Sequence, residues 1–256
     1  MLTFPNLLSF LTVKAIPQLP LELLEDIIIQ AWELQCSVNE RILLMTSLPL
    51  VSRSFLAAYV RISSIDVHIP CPSFAKNLFR VMRSGTRPFR TITRASSSAA
   101  ELCRSITLQI SQPSSPIRAV HWSAEPPMGI VLSDLLYDIR VFGGLPNFRT
   151  LTVRYIDVDL HDIFDWARFI DFPESVRYLN IEFVQTEAGI PPPKIVITPP
   201  GRSPNVSLWT LPCIRRLRVS GGNEEFVSRL VASMPNLESV EDGQGGPRSG
   251  YTGSIK

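Results

Sequence analysis

Hydrophobic residues near the N-terminus recur at steps of three and four positions. In "LPLELLEDIIIQAW", residues 19–32, the residues with this spacing are Leu23, Leu24, Ile27, Ile28 and Ala31. The spacing predicts an amphipathic helix with a broad apolar face. Pro20 suits its first turn, because the N–H that proline lacks has no partner there. Carboxylates near the start favour the positive end of the helix dipole; they belong to Glu22, Glu25 and Asp26.

Two more short helices are predicted before residue 70. The first covers residues 39–48, "NERILLMTSL", with Asn39 as its N-cap. A third helix is predicted over residues 50–64, beginning directly after Pro49. Four residues share a face of that helix: Val51, Phe55, Ala58 and Tyr59. Residues 16–69 thus form a helical module that alone buries only about 60% of its surface, so we expect its apolar face to be covered by something else.

Alternating hydrophobic residues that follow a proline recur in residues 101–240. The pattern occurs as "LPNFRTLTV", "FPESVRYLNI", "LPCIRRLRV" and "MPNLESV", after a proline-free version, "CRSITLQI". Each copy predicts one short strand. When the copies are aligned on Leu151, Leu179, Leu217 and Val240, the first and last intervals fall within the period of about 20 to 29 residues that is typical of leucine-rich repeats. Residues 158–171 and 224–234 have helical spacing, so we expect strand and return helix to alternate and stack as a solenoid.

Composition excludes several classes of function. The chain has 256 residues, of which 45% are hydrophobic and 19% are charged, as is typical of globular proteins. Its net charge of +2 produces no field that attracts nucleic acid or an acidic membrane surface. No apolar run reaches the roughly 18 residues that a membrane-spanning helix needs. We therefore expect neither nucleic acid nor a membrane as a partner.

The remaining segments are interpreted as connections. Residues 1–15 are apolar but are broken by Pro5, which favours an extension that packs on the first helix over the alternative of a signal peptide. Residues 70–100 form a connector, in which arginines beside Ser96–Ser98 indicate a solvated linker or, alternatively, a kinase or anion site. Residues 188–204 are a proline-rich insertion and residues 241–256 a flexible tail.

Candidate catalytic and metal-binding groups are few. The cysteines lie far apart, without a Cys-x-x-Cys pair, and favour reduced thiols in a cytoplasmic or nuclear protein; they are Cys36, Cys71, Cys103 and Cys213. One acidic cluster has the ligand types of a metal site, but acidic residues at a helix start also cap that helix; it consists of Asp157, Asp159, His161, Asp162 and Asp165. No phosphate-binding glycine motif or nucleophile elbow occurs. We expect no enzyme activity, no cofactor and no metal.

Four ordered pieces in the N-terminal module cover about fifty residues: a Leu-Pro-x-Glu-Leu start and an Ile-Ile-x-x-Ala-Trp helix in "LPLELLEDIIIQAW", a Leu-Val-Ser-Arg-x-Phe helix in "LVSRSF", and an Asp-Val-His-Ile exit in "VRISSIDVHI". In this combination the module resembles the F-box of basidiomycete fungal F-box proteins. The repeats that follow are similar to the divergent leucine-rich repeats found after this box. The implied fold is an α+β or α/β solenoid, with a three-helix F-box module at residues 16–69 and a short, irregular leucine-rich-repeat-like domain at residues 101–240.

The resemblance implies an adaptor role in ubiquitination. An F-box binds the Skp-family adaptor of a Skp, cullin and F-box ubiquitin ligase, and the repeats bind an unknown protein substrate. The implied partner-binding residues are Leu19, Pro20, Leu23, Leu24, Ile27, Ile28, Leu50, Val51, Ser52, Arg53 and Phe55. Some of them must be core residues, and the sequence does not sort them. The alternative is a repeat scaffold with a degenerate F-box, whose helical face is covered by residues 101–180.

Overall fold

The computed structural model describes residues 19–34, 36–84, 99–111, 128–156, 172–184, 210–221 and 224–242. In this part of the chain the helices are α1 (Leu21–Glu33), α2 (Val38–Val51), α3 (Arg53–Ile65), α4 (Pro72–Ser84), α5 (Ala99–Leu102), α6 (Met128–Phe142) and α7 (Glu224–Ala232). The strands are β1 (Asp66–Ile69), β2 (Ser105–Ser111), β3 (Thr150–Ile156), β4 (Tyr178–Val184), β5 (Arg216–Ser220) and β6 (Ser239–Asp242). The predicted α+β or α/β class is confirmed.

The six strands form one parallel sheet whose spatial order follows the chain order. Leu151 pairs with Leu179, Leu179 with Leu217, and Leu217 with Val240. The alignment of the four proline-containing copies is therefore confirmed. The proline-free copy also belongs to the series, because Ile106 pairs with Leu151.

The two faces of this sheet differ in polarity because side chains alternate along each strand. One face is apolar and packs with α4, α6 and α7 in the larger of two hydrophobic cores, through residues that include Ile106, Leu151, Leu179 and Leu217. The opposite face has a row of mostly polar side chains in register: His68, Thr107, Thr152, Asn180 and Arg218. Two cross-strand bonds join this face, Asn180 Nδ2 to Thr152 Oγ1 at 3.1 Å and Arg154 Nε to Glu182 at 2.9 Å.

The repeated proline belongs to a tight turn that precedes the strand. In "LPNF", the Phe148 N–H donates to the Leu145 carbonyl at 3.2 Å, so Pro146 occupies the second turn position, which its fixed φ suits. Asn147 Nδ2 then donates to the carbonyl of Glu101, in the preceding unit, at 2.6 Å. Equivalent bonds to the preceding unit run from Cys213 Sγ to Pro173 and from Asn236 Nδ2 to Pro212. Successive units are thus joined by side chains at the same turn position.

Gly221 ends β5 in a conformation that other residues rarely adopt. Its φ is +78°, and a Cβ at this position would lie 2.8 Å from the carbonyl oxygen of Phe183 on β4. Gly143, which follows α6, also has a positive φ of +61°, but no atom lies within 4 Å of its ideal Cβ position. A side chain at position 143 would therefore meet backbone strain alone, whereas one at position 221 would meet both backbone strain and a close contact with β4.

We expect Gly221→Ala to lower the free energy of unfolding by about 2 to 3 kcal/mol, because backbone strain and a contact with β4 add together. Gly143→Ala, which carries the backbone strain alone, is expected to cost about 1 kcal/mol. Urea unfolding of the two variants gives the comparison. Equal losses would show that β4 does not restrict position 221.

Several predicted boundaries in the helical module were wrong. Helix α2 is capped by Ser37, not Asn39, and Ser37 forms a reciprocal capping box with Glu40. Pro49 does not begin the third helix but lies in the last turns of α2, which runs to Val51. Helix α3 begins at Arg53, with Ser52 as its N-cap. Val51 therefore shares no helix with Phe55.

Some elements were missed, and some predictions lie outside the described residues. Helix α4 lies within the predicted connector, the short α5 crosses its C-terminal boundary at residue 100, and β1 forms the exit of the box. The sequence also predicted nothing for α6, although α6 contributes Leu132, Leu135 and Leu136 to the larger core. Strand β6 extends two residues into the predicted tail. Residues 1–15, Ser96–Ser98, 157–165 and 188–204 lie outside the described residues.

Candidate partner-binding surface

Helix α1 carries two apolar stripes that lie side by side. The inner stripe is Leu24, Ile28 and Trp32, which recur every fourth residue and are buried. Ile28 and Trp32 belong to the smaller hydrophobic core, together with Met45 of α2 and Ala58 of α3. This core holds the three helices together. Two of the predicted partner-binding residues, Leu24 and Ile28, are therefore internal.

The outer stripe, which we define as Leu19, Leu23 and Ile27, lies on the surface. These side chains are 52%, 50% and 46% exposed, respectively. Leu23 and Ile27 are four residues apart and share one helix face. Pro20 is also exposed and serves as the N-cap residue of α1, without a side-chain capping bond. Leu19 lies just before the helix and adds a third exposed apolar side chain at this end of α1.

A second exposed apolar segment lies where α2 meets α3. Leu50 is 84% exposed and Val51 is 60% exposed, in the last turn of α2. Ser52 is exposed, and its Oγ accepts a hydrogen bond from the Phe55 N–H at 3.2 Å, which explains it as a helix cap. Arg53 is exposed, whereas Phe55 is partly buried against the smaller core.

Of the eleven predicted partner-binding residues, eight are therefore exposed, two are buried and Phe55 is intermediate. The exposed ones lie in two groups, at the start of α1 and at the α2–α3 junction. Helix α3 is in contact with both α1 and α2, the helices that carry the two groups. The structure thus shows which of the eleven predicted residues lie on the surface and which lie in the core, a distinction that the sequence did not provide.

Arg41 holds the C-terminal end of α1, and sequence reasoning missed it. Its side chain is buried, and it donates from Nη1 to the Trp32 carbonyl at 2.9 Å and from Nη2 to the Leu34 carbonyl at 2.6 Å. Its guanidinium lies 5.4 Å from the centre of the Trp32 ring. Burial lowers the pKa of Arg41 from its usual value. This arginine satisfies carbonyls that end a helix and would otherwise lack partners.

Trp32 and Gln109 fix the helical module to the sheet. Trp32 Nε1 donates to the Asp66 carbonyl at the start of β1 at 2.9 Å. The Trp32 ring meets the ring of His68 edge-to-face, with centroids 5.0 Å apart. Gln109 Nε2 on β2 donates to the Cys36 carbonyl, between α1 and α2, at 3.0 Å. The C-terminal end of α1 is thereby anchored, while its outer stripe stays exposed.

Other kinds of site find little support in the described residues. No group of three or more His, Cys, Asp or Glu side chains there is arranged to hold a metal ion. Among the helices described, none combines the length and the apolar character needed to cross a membrane. The acidic cluster at Asp157–Asp165 lies outside the described residues. The four cysteines are free; Cys103 is buried, and the other three are partly buried.

Comparison with known proteins adds no assignment: no family model matches the chain, and the searches of curated proteins and of solved structures returned no match.

Proposed function

We propose that the chain is the substrate-receptor subunit of a Skp, cullin and F-box ubiquitin ligase, and that its helical module is an F-box that binds the Skp-family adaptor. The observation that carries this proposal is the exposed outer stripe on α1, whose neighbouring stripe is fully used by the core of the module. Large apolar side chains that share an exposed helix face are typical of a helix that packs against a partner. Catalysis then belongs to other subunits of the ligase.

The size of the exposed groups suits a stable complex. Full burial of one leucine or isoleucine contributes roughly 1.5 to 3 kcal/mol. The outer stripe together with Leu50 and Val51 supplies five such side chains, each already partly covered or at a helix end. These anchors contribute a substantial part of the favourable free energy that a stable complex needs, and the other contacts with the adaptor supply the rest.

We interpret the sheet and its return helices as divergent leucine-rich repeats that bind the substrate. This interpretation is supported by strands that follow one another in chain order and by turn side chains that join successive units. On the polar face of β4 and β5, Tyr178, Arg216 and Arg218 are exposed. The Arg216 guanidinium lies 5.5 Å from the Tyr178 ring centre. This part of the sheet is the proposed position of a protein substrate.

Co-expression with a Skp-family adaptor tests the proposal. We expect the two chains to purify together as a complex of one copy of each. Leu19→Ala combined with Pro20→Ala should reduce the yield of complex, because it removes exposed apolar surface at the start of α1. Failure of the unsubstituted chain to bind the adaptor at micromolar concentrations would refute the proposal.

A second candidate is a repeat scaffold in which the helical module only closes the sheet. It is favoured by the bonds that join the module to the sheet, from Trp32 to Asp66 and from Gln109 to Cys36. Against it, Leu23 and Ile27 are about half exposed, whereas a simple closing module would bury that face on residues 101–180. An adaptor complex that forms with the unsubstituted chain and is lost when the outer stripe is altered would favour the F-box over the scaffold. The scaffold predicts no adaptor complex.

A further inference from the structure

A cavity of about 280 Å³ lies between the helical module and the sheet. Its walls come from α2, α3, β1, α4, α5 and the turn before β3, so both hydrophobic cores contribute to it. Most of the lining is apolar, as Met45, Val60, Phe74, Leu78 and Leu145 show. The cavity is half open and mainly apolar, and its volume is close to the lower end of the range for small-molecule sites.

The lining contains a few polar groups in defined places. His68 is buried, and its Nδ1 has no hydrogen-bond partner among the described residues. Asn77 on α4 lines the same cavity and is exposed, which places an amide at the mouth. Nδ1 itself is inaccessible to water, so His68 meets the cavity through other atoms of its ring.

The cavity is electrically neutral. No Asp, Glu, Lys or Arg lines it. Burial lowers the pKa of His68 to about 3 and raises the pKa of Tyr59 and of Cys103 to about 12, so all three are uncharged at neutral pH. A charged ligand would lose its hydration without gaining a counter-charge.

We infer that this cavity binds a small, uncharged, mainly apolar or aromatic molecule, because its lining is mainly apolar and carries no charged side chain. The inference does not depend on adaptor binding. Because both cores line the cavity, a bound molecule stabilises the junction between the module and the sheet.

Titration of the full chain with 2-naphthol, followed by calorimetry and by thermal unfolding, tests the inference. We expect one molecule to bind with a dissociation constant on the order of 0.1 mM and to raise the unfolding temperature. Naphthalene-2-sulfonate has the same ring and a negative charge, and it should not bind. Naphthalene, which has the same ring without the hydroxyl, should bind with similar affinity, because the lining is mainly apolar.

Variants locate the site. Ala100→Phe fills the cavity and should weaken naphthol binding by at least about tenfold, whereas Ala232→Phe on the exposed surface of α7 should leave it unchanged. If Ala100→Phe does not unfold cooperatively, Ser63→Leu serves the same purpose from α3. The inference is wrong if naphthol does not bind, if the sulfonate binds equally well, or if a folded cavity-filling variant retains full affinity.

Discussion

Arg41→Met is expected to lower the free energy of unfolding by about 3 kcal/mol. This loss is larger than the one expected from removing any other charged side chain described above. The substitution leaves the carbonyls of Trp32 and Leu34 without the guanidinium donors that now satisfy them. The Trp32 carbonyl is buried, and a buried acceptor that loses its partner costs roughly 1 to 3 kcal/mol; the part-buried Leu34 carbonyl adds a smaller cost. The substitution also removes a desolvated charge, which is favourable. The expected loss of stability is therefore smaller than the summed cost of the two carbonyls that lose their donors. Urea unfolding followed by circular dichroism measures it.

Arg61→Met is the matched control for this prediction. Arg61 lies on α3 and forms an ion pair with Glu25 of α1, but its side chain is 49% exposed. Exposed ion pairs contribute about 0 to 1 kcal/mol, so the same chemical change should have a small effect there. Equal losses at positions 41 and 61 would mean that Arg41 does not hold the end of α1.

Leu23→Ser combined with Ile27→Ser is expected to weaken the adaptor complex by about 100-fold. Each side chain still has about half of its surface to lose on binding. Burial of that half contributes roughly 1.4 kcal/mol per residue, and the two contributions together correspond to two powers of ten in the dissociation constant. Because both side chains are already exposed, the free energy of unfolding of the isolated chain should change by less than about 1 kcal/mol.

Ile28→Ala, at the position next to Ile27, is expected to lower stability without directly weakening adaptor binding. Ile28 is fully buried in the smaller core, so its truncation should cost about 3 kcal/mol of stability and affect the complex only through unfolding. If Leu23→Ser with Ile27→Ser unfolds the chain while Ile28→Ala does not, the inner and outer stripes have been assigned to the wrong sides of the helix.

Five of the six described strands could be predicted from sequence because their signals are local. A proline in the preceding turn, an apolar residue before it and alternating residues after it mark β3, β4, β5 and β6. These signals were sufficient to align Leu151 with Leu179, Leu217 and Val240, and the register confirms that alignment. β2 lacks the proline and was predicted from its alternating residues alone, whereas the four-residue β1 was not predicted as a strand.

The helices were predicted less well because their decisive signals are not periodic. The motif Ser37-x-x-Glu40 is a capping box and was visible in the sequence, but Asn39 was chosen instead. Helix α6 contains Gly129 and several β-branched residues, which have low helix propensity, so its local sequence argues weakly for a helix. Packing against the sheet stabilises this helix despite its low intrinsic propensity.

Three-dimensional packing was needed to assign the candidate site. Spacing alone placed Leu23, Leu24, Ile27 and Ile28 on one broad face, whereas the position of α3 decides which two of them are covered. Arg41 was not predicted because arginine is rarely buried, and its partners are backbone carbonyls that a sequence does not display. The cavity beside His68 likewise arises only where α3, α4 and β1 meet.

Calorimetric titration of the purified chain with a Skp-family adaptor measures whether the outer stripe of α1 binds that adaptor. We expect a single binding event of one copy of each protein, with micromolar or tighter affinity and a negative heat-capacity change from burial of the apolar stripe. The heat of binding should be lost when Leu23 and Ile27 are both replaced by serine. Absence of binding by the unsubstituted, folded chain would refute the assignment of the helical module as an F-box, and so would unchanged binding by the doubly substituted chain.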